Sequence, residues 1–230
     1  MKWPSLPAIL AALALGVGAA PSFPAAAEAS GAYLGTQRVR GILKLPVLGE
    51  VDTEVTFTVL ATIQSGEEGL SIEQRPCSVE FSNVLGIGTA MEEAGVRRLP
   101  VEKIAFGPAE GDWRAAEPWL VGWGAEDVDA DGKPGATVQV KAPLCGGEVH
   151  VSSQTVSIAR GQWTGETFRG RVKVVVAQKI LGASNACLSM TATDKRQKMS
   201  GEFEYRPVPA GTRCEDLGAL ALLAGDAERP

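Results

Sequence analysis

The chain has 230 residues, 45% of them hydrophobic and 21% charged, and carries a formal net charge of −5 at pH 7. A mildly acidic chain without basic runs is a poor partner for nucleic acid or for an anionic membrane surface. A single His narrows the catalytic chemistry open to it.

The N-terminus opens with Met1-Lys2, an apolar run from Leu6 to Ala20, and a small-residue region from Pro21 to Ala29. One positive charge, an apolar core too short to span a bilayer comfortably, and Ala-x-Ala exits define a secretory signal peptide. Residues 1–27 are its expected extent, with cleavage after Ala27 or after Ala29. The Pro residues at 4, 7, 21 and 24 argue against a retained anchor, and no later apolar run is long enough to span a bilayer. The expected location is therefore outside the cytoplasm, periplasmic or extracellular. All four Cys, at 77, 145, 187 and 214, follow the leader, and an even count in an exported chain implies two disulfides. Four Cys allow three connectivities and spacing does not choose; the expected pairing is Cys77–Cys145 with Cys187–Cys214.

The first strand is expected over Val39–Val47, with odd positions apolar or small and a bend at Pro46. The cleanest period follows. Val51, Val55, Phe57, Val59, Ala61 and Ile63 share one face, and Glu50, Asp52, Glu54, Thr56, Thr58, Thr62 and Gln64 the other. That is a long strand with one buried and one wet face. Ser65–Gly69 is a hairpin loop. Leu70 and Ile72 then face inward until the phase shifts to Cys77, Val79 and Phe81, which places a β-bulge at Arg75-Pro76. Ala90–Arg98 is a helical turn or loop, and Val101–Phe106 a further strand.

Trp119, Val121 and Trp123 share one face of the next strand, with Trp113 upstream as a third indole. Large rings two positions apart either line a pocket or fill a core. If they line a pocket, these three residues are the candidate ligand contacts. A strand over Ala136–Val140 follows an acidic loop. Val149 and Val151 point inward and His150 outward to a wet face. A slip near Ser153 then returns Val156 and Ile158 to the apolar side. Arg160–Glu166 is turn-rich. Phe168, Gly170, Val172, Val174 and Val176 face in opposite Arg169, Arg171 and Lys173. Leu188, Met190 and Ala192 suggest another strand, Lys195–Lys198 a basic turn, and Gly201, Phe203 and Tyr205 the inner face of the last strand. Residues 215–230 form an irregular tail, with a short helix over Glu215–Leu223.

Nine or ten strands without a long amphipathic helix make one all-β domain over residues 28–214. It is an antiparallel up-and-down meander, closed as a barrel of lipocalin or avidin type in preference to a two-sheet sandwich. An outer-membrane barrel is disfavoured, because the outward positions carry Glu, Lys, Arg and Thr.

The loop between the Trp strand and Ala136 contains Asp127, Asp129, Asp131 and Gly132. Alternating carboxylates converge on one hard cation, the Gly permits the sharp turn, and Lys133 would add its carbonyl. This Asp-x-Asp-x-Asp-Gly run resembles the calcium loops of EF-hands and thrombospondin type 3 repeats. The resemblance implies calcium as the cofactor. It covers about a dozen residues and departs at Gly135 and Val138, where further ligands would stand, and at Pro134. A site so incomplete has an expected dissociation constant on the order of 10⁻⁴–10⁻³ M.

Catalysis is not expected. A triad would have to use His150, no Gly-x-Ser-x-Gly elbow occurs, and zinc hydrolases need more His. Two functions remain. One is an exported binding module for a small apolar ligand. The other is an exported structural or surface-interaction β-sandwich stiffened by calcium.

Overall fold

The structure, a computed structural model, describes residues 30–45, 49–66 and 69–217. The signal peptide and most of the C-terminal tail, including residues 218–223 of the expected short helix, lie outside these. So does the expected bend at Pro46.

Eleven antiparallel strands belong to one sheet. β1 (Gly31–Leu45), β2 (Gly49–Gly66) and β3 (Gly69–Phe81) form a meander. After β4 (Gly88–Ala90) and a one-turn helix α1 (Glu93–Val96) come β5 (Glu102–Ala109), β6 (Asp112–Ala115) and β7 (Trp119–Trp123). Next are β8 (Ala136–Lys141), β9 (Gly147–Thr164) and β10 (Thr167–Ala183). Helix α2 (Ala186–Thr191), β11 (Lys195–Pro207) and a 3-10 turn at Cys214–Asp216 complete the described chain.

The pairings close on themselves. From β9 the ring runs through β10, β11, β1, β2 and β3, then returns to β9 through β5 and β6 at one end. At the other end it returns through β4 and β8. Either circuit has eight strands. One edge of β9 is covered by β10 from Val149 to Thr164. Its other edge is covered in turn by β8, β7 and β6. A two-sheet sandwich is not observed.

The period read in β2 holds, with Val59, Ala61 and Ile63 buried. The bulge in β3 also holds. Thr58 faces Ser78 and Val59 faces Pro76, so Cys77 is the extra residue that reverses the phase. β1 begins eight residues earlier than expected. Its inward positions include Gly35 and Gln37, which interrupt the apolar alternation. Gly35 is required there, because a Cβ would lie 2.6 Å from the Tyr205 ring.

Four expectations are corrected. β9 runs without a slip, so Ser153, Ser157 and Ala159 are buried while Val156 points out. Its inward face is small and polar, which misled a reading that followed the large apolar residues. Leu188, Met190 and Ala192 do not share a strand face. Asn185 accepts a hydrogen bond from the Leu188 N–H and caps α2, which buries Leu188 and leaves Met190 79% exposed. Lys195–Lys198 opens β11 rather than turning, with Arg196 and Lys198 outward and Lys195 and Gln197 on the face that lines the interior. The disulfides join Cys77 to Cys214 and Cys145 to Cys187. The ring sets this pairing. It brings the β8–β9 hairpin beside α2, and the bulge in β3 beside the segment that follows β11.

Six aromatic residues fill one end of the ring. Phe168, fully buried, meets Phe106, Trp163, Phe203 and Tyr205 at centroid distances of 5.4, 5.1, 5.4 and 6.3 Å. Tyr33 sits edge-on to Trp163. Gly161 and Gly170 face each other across β9 and β10, and a Cβ on either would come within 2.8 Å of the Phe203 ring. This glycine pair gives the aromatic plug its room.

Candidate ligand cavity and acidic loop

Above the plug the ring is hollow. A cavity of about 590 Å³ is walled by inward residues of β1, β2, β3, β7, β8, β9, β10 and β11. The volume falls in the roughly 300–1,000 Å³ range of small-molecule pockets. Val55, Phe57, Val138, Val140 and Val176 are in the inward phase yet only half-buried. They face the void rather than a packed neighbour. The cavity wall includes Trp119, Val121 and Trp123, the three residues singled out from the sequence. Trp113 packs against the aromatic core instead. The Trp123 indole donates to the Val151 carbonyl at 2.9 Å, which fixes its ring in the wall.

A polar chain crosses the apolar lining near the plug. The Tyr205 hydroxyl donates to Gln74 Oε1, and Gln74 Nε2 donates to Glu102 Oε2 at 3.0 Å. Trp119 Nε1 donates to the same Glu102 oxygen at 3.0 Å. Burial raises the Glu102 carboxyl above its ordinary value of 4.5, and the two donated hydrogen bonds only partly offset this. Burial likewise holds the Tyr205 hydroxyl far above its usual range, with the Glu102 charge a lesser cause. Glu102 and Gln74 were not singled out from the sequence, and Tyr205 was placed only as an inward residue of the last strand. The signal was there: Glu102 stands in phase with Ile104 and Phe106, so a carboxylate occupies the apolar face of a strand.

The acidic loop lies on the outer side of the wall. Carboxylate oxygens of Asp127, Asp129 and Asp131 lie within 4.8 Å of one another. Ligands on opposite sides of a cation bound at 2.3–2.6 Å are separated by about 5 Å, so the three could hold one metal ion. Asp127 accepts from the N–H groups of Asp131 and Gly132 at 3.1 and 2.9 Å. Asp129 Oδ2 accepts from the Thr137 N–H at 2.7 Å, while its buried Oδ1 has no partner among the described residues. The Thr137 hydroxyl holds the Asp131 carboxyl below the usual carboxylate range. Gly132 has φ +84°, the left-handed turn expected of that position. The Lys133 ammonium pairs with Glu148.

His150 does point away from Val149 and Val151, but its face is not wet: it is 8% exposed. Thr137 lies opposite it across β8 and β9, with Thr137 Oγ 3.1 Å from His150 Nδ1. Because that hydroxyl donates to Asp131, the imidazole N–H donates to the hydroxyl. The lone His therefore ties β9 to the acidic loop.

Compared with family models, with curated proteins and with solved structures, the chain finds no match. What it does must be argued from the cavity and the loop.

Proposed function

We propose that the protein is an exported, non-enzymatic binding module for a small apolar ligand, with a loop steadied by calcium. The observation that carries the reading is the cavity of about 590 Å³ inside a closed ring, with a mainly apolar lining in which Val is the commonest residue. A packed domain of this size has few voids larger than a water molecule, so a hollow this large needs an occupant. Two disulfides and the leader-like N-terminus support an oxidising, exported setting. The residues best suited to catalysis are already engaged: His150 is bonded to Thr137 and all four Cys are in disulfides.

Val55 and Val176 face the void from opposite walls, and Trp at both positions would occupy it. The double variant Val55→Trp/Val176→Trp is expected to bind a neutral apolar fluorophore at least about tenfold more weakly, a loss of about 1.4 kcal/mol. Its far-UV circular dichroism should be unchanged. Equal affinity in the variant and the parent would place the dye elsewhere and defeat the cavity reading.

The calcium part rests on the three converging carboxylates and the orphaned Asp129 Oδ1. With a dissociation constant near 1 mM, 10 mM calcium stabilises the native state by about 1.4 kcal/mol. For a domain of this length that raises Tm by about 3–5 °C. Asp129→Asn should abolish the rise, because it removes the charge that lacks a partner. A Tm that calcium leaves unmoved in the parent protein would remove calcium from the account.

A further inference from the structure

We infer that the occupant of the cavity is an apolar amine, seated with its ammonium group against the unoccupied oxygen of Glu102; this rests on the binding reading above.

Three observations carry the inference. The first is position. Glu102 lines the cavity close to the aromatic plug, joined through Gln74 to Tyr205, which belongs to the plug. A ligand that fills the apolar space down to the plug therefore meets this carboxyl. The second is saturation of one oxygen only. Oε2 takes both N–H groups, from Gln74 and Trp119, and Oε1 takes no hydrogen bond from the described residues. The network also fixes the direction of the unmet need. Tyr205, Gln74 and Trp119 all donate toward Glu102, so the chain of bonds ends on a carboxyl of the cavity lining. The third is charge. Among the described residues no Lys or Arg forms an ion pair with Glu102, and the Lys of the cavity lining, Lys195, opens β11 ten residues before Tyr205. A buried carboxylate without a countercharge is unfavourable, and a cation bonded to it relieves that penalty.

A ligand that brings a cationic donor supplies both the hydrogen bond and the charge. A neutral alcohol supplies only a weaker hydrogen bond, and a carboxylate at Glu102 would bring a like charge. The apolar part of the lining, Val above all, would hold the rest of the molecule.

The test is competition. A neutral apolar fluorophore, N-phenyl-1-naphthylamine, is bound to the full disulfide-bonded protein and displaced by decylamine, decanol or decanoate. These three share one chain length and differ at the end group. Decylamine should compete at least about tenfold better than decanol or decanoate. Glu102→Gln keeps an oxygen for the two N–H donors and removes the charge. It should lower decylamine affinity about tenfold while leaving decanol and the dye within about twofold. Retained dye binding shows that the variant is folded. If it does not fold, the order of the three competitors on the parent protein still decides. A preference for decanoate, or an amine preference that survives Glu102→Gln, overturns the inference. Equal displacement by all three overturns it too, but leaves the apolar binding module standing. Failure of the dye and of every competitor to bind would defeat both.

Discussion

Phe168→Ala is expected to destabilise the protein by about 3–5 kcal/mol, the range for removing a fully buried aromatic ring. The ring is 0% exposed and is the hub of the plug, in contact with Phe106, Trp163, Phe203 and Tyr205. Its strand neighbours are Trp163 on β9 and Tyr205 on β11, so the plug is also what braces three adjacent strands. The site cannot collapse easily, because the glycine pair beneath Phe203 already brings backbone and ring into close contact. Against a total stability of about 5–15 kcal/mol the loss is large. Urea denaturation monitored by Trp fluorescence measures it. A loss below about 1 kcal/mol would mean that the rings do not form one packed plug.

Opening the Cys77–Cys214 bridge is expected to cost about 5 kcal/mol, and opening Cys145–Cys187 about 4 kcal/mol. The ordering follows from sequence separations of 137 and 42 residues, since the denatured chain gains more freedom from the longer loop. The longer bridge also anchors the segment after β11 to the bulge in β3. Near it, Glu215 pairs with the Arg97 guanidinium beyond α1. Double Ala variants of each pair, unfolded by urea without reductant, give the comparison. A larger loss from the shorter loop would show that local contacts around α2, rather than chain entropy, set the value of these bridges.

Much of the wall could be read from periodicity. β2 and the apolar stretches of β10 and β11 alternate between inward apolar and outward polar residues, and the bulge at Cys77 shows as a break in that alternation. The cavity could not be read this way. Alternation says which side chains turn inward, but Val55 and Val176 would look the same in a packed core. The same logic explains the misreading of β9. Ser153 and Ser157 face inward because β9 passes over space that is partly hollow, so there was no large side chain to mark the phase. Glu102 was legible in principle, as a carboxylate on an apolar phase. Its significance depends on Gln74 and Trp119, which lie 28 and 17 residues away and come together only when the ring closes. Disulfide pairing was illegible for the same reason. The acidic loop was legible because its three carboxylates lie within five consecutive residues.

The ring is closed by β1 and β11, whose register joins Tyr33 to Pro207 and Gly41 to Met199. Each remaining neighbour in the meander from β9 to β11, and from β1 to β3, can be gathered from nearby sequence. This one pairing must wait for almost the entire chain. During synthesis β1 is therefore made first among the strands and is the last to find its second partner. Until then it presents a row of unpaired N–H and C=O groups nine residues long in that register. Long-range closure of this kind slows folding and prolongs the interval in which an open edge can recruit another chain. The seam between the first and last strands is thus the place where folding yield, rather than final stability, is decided.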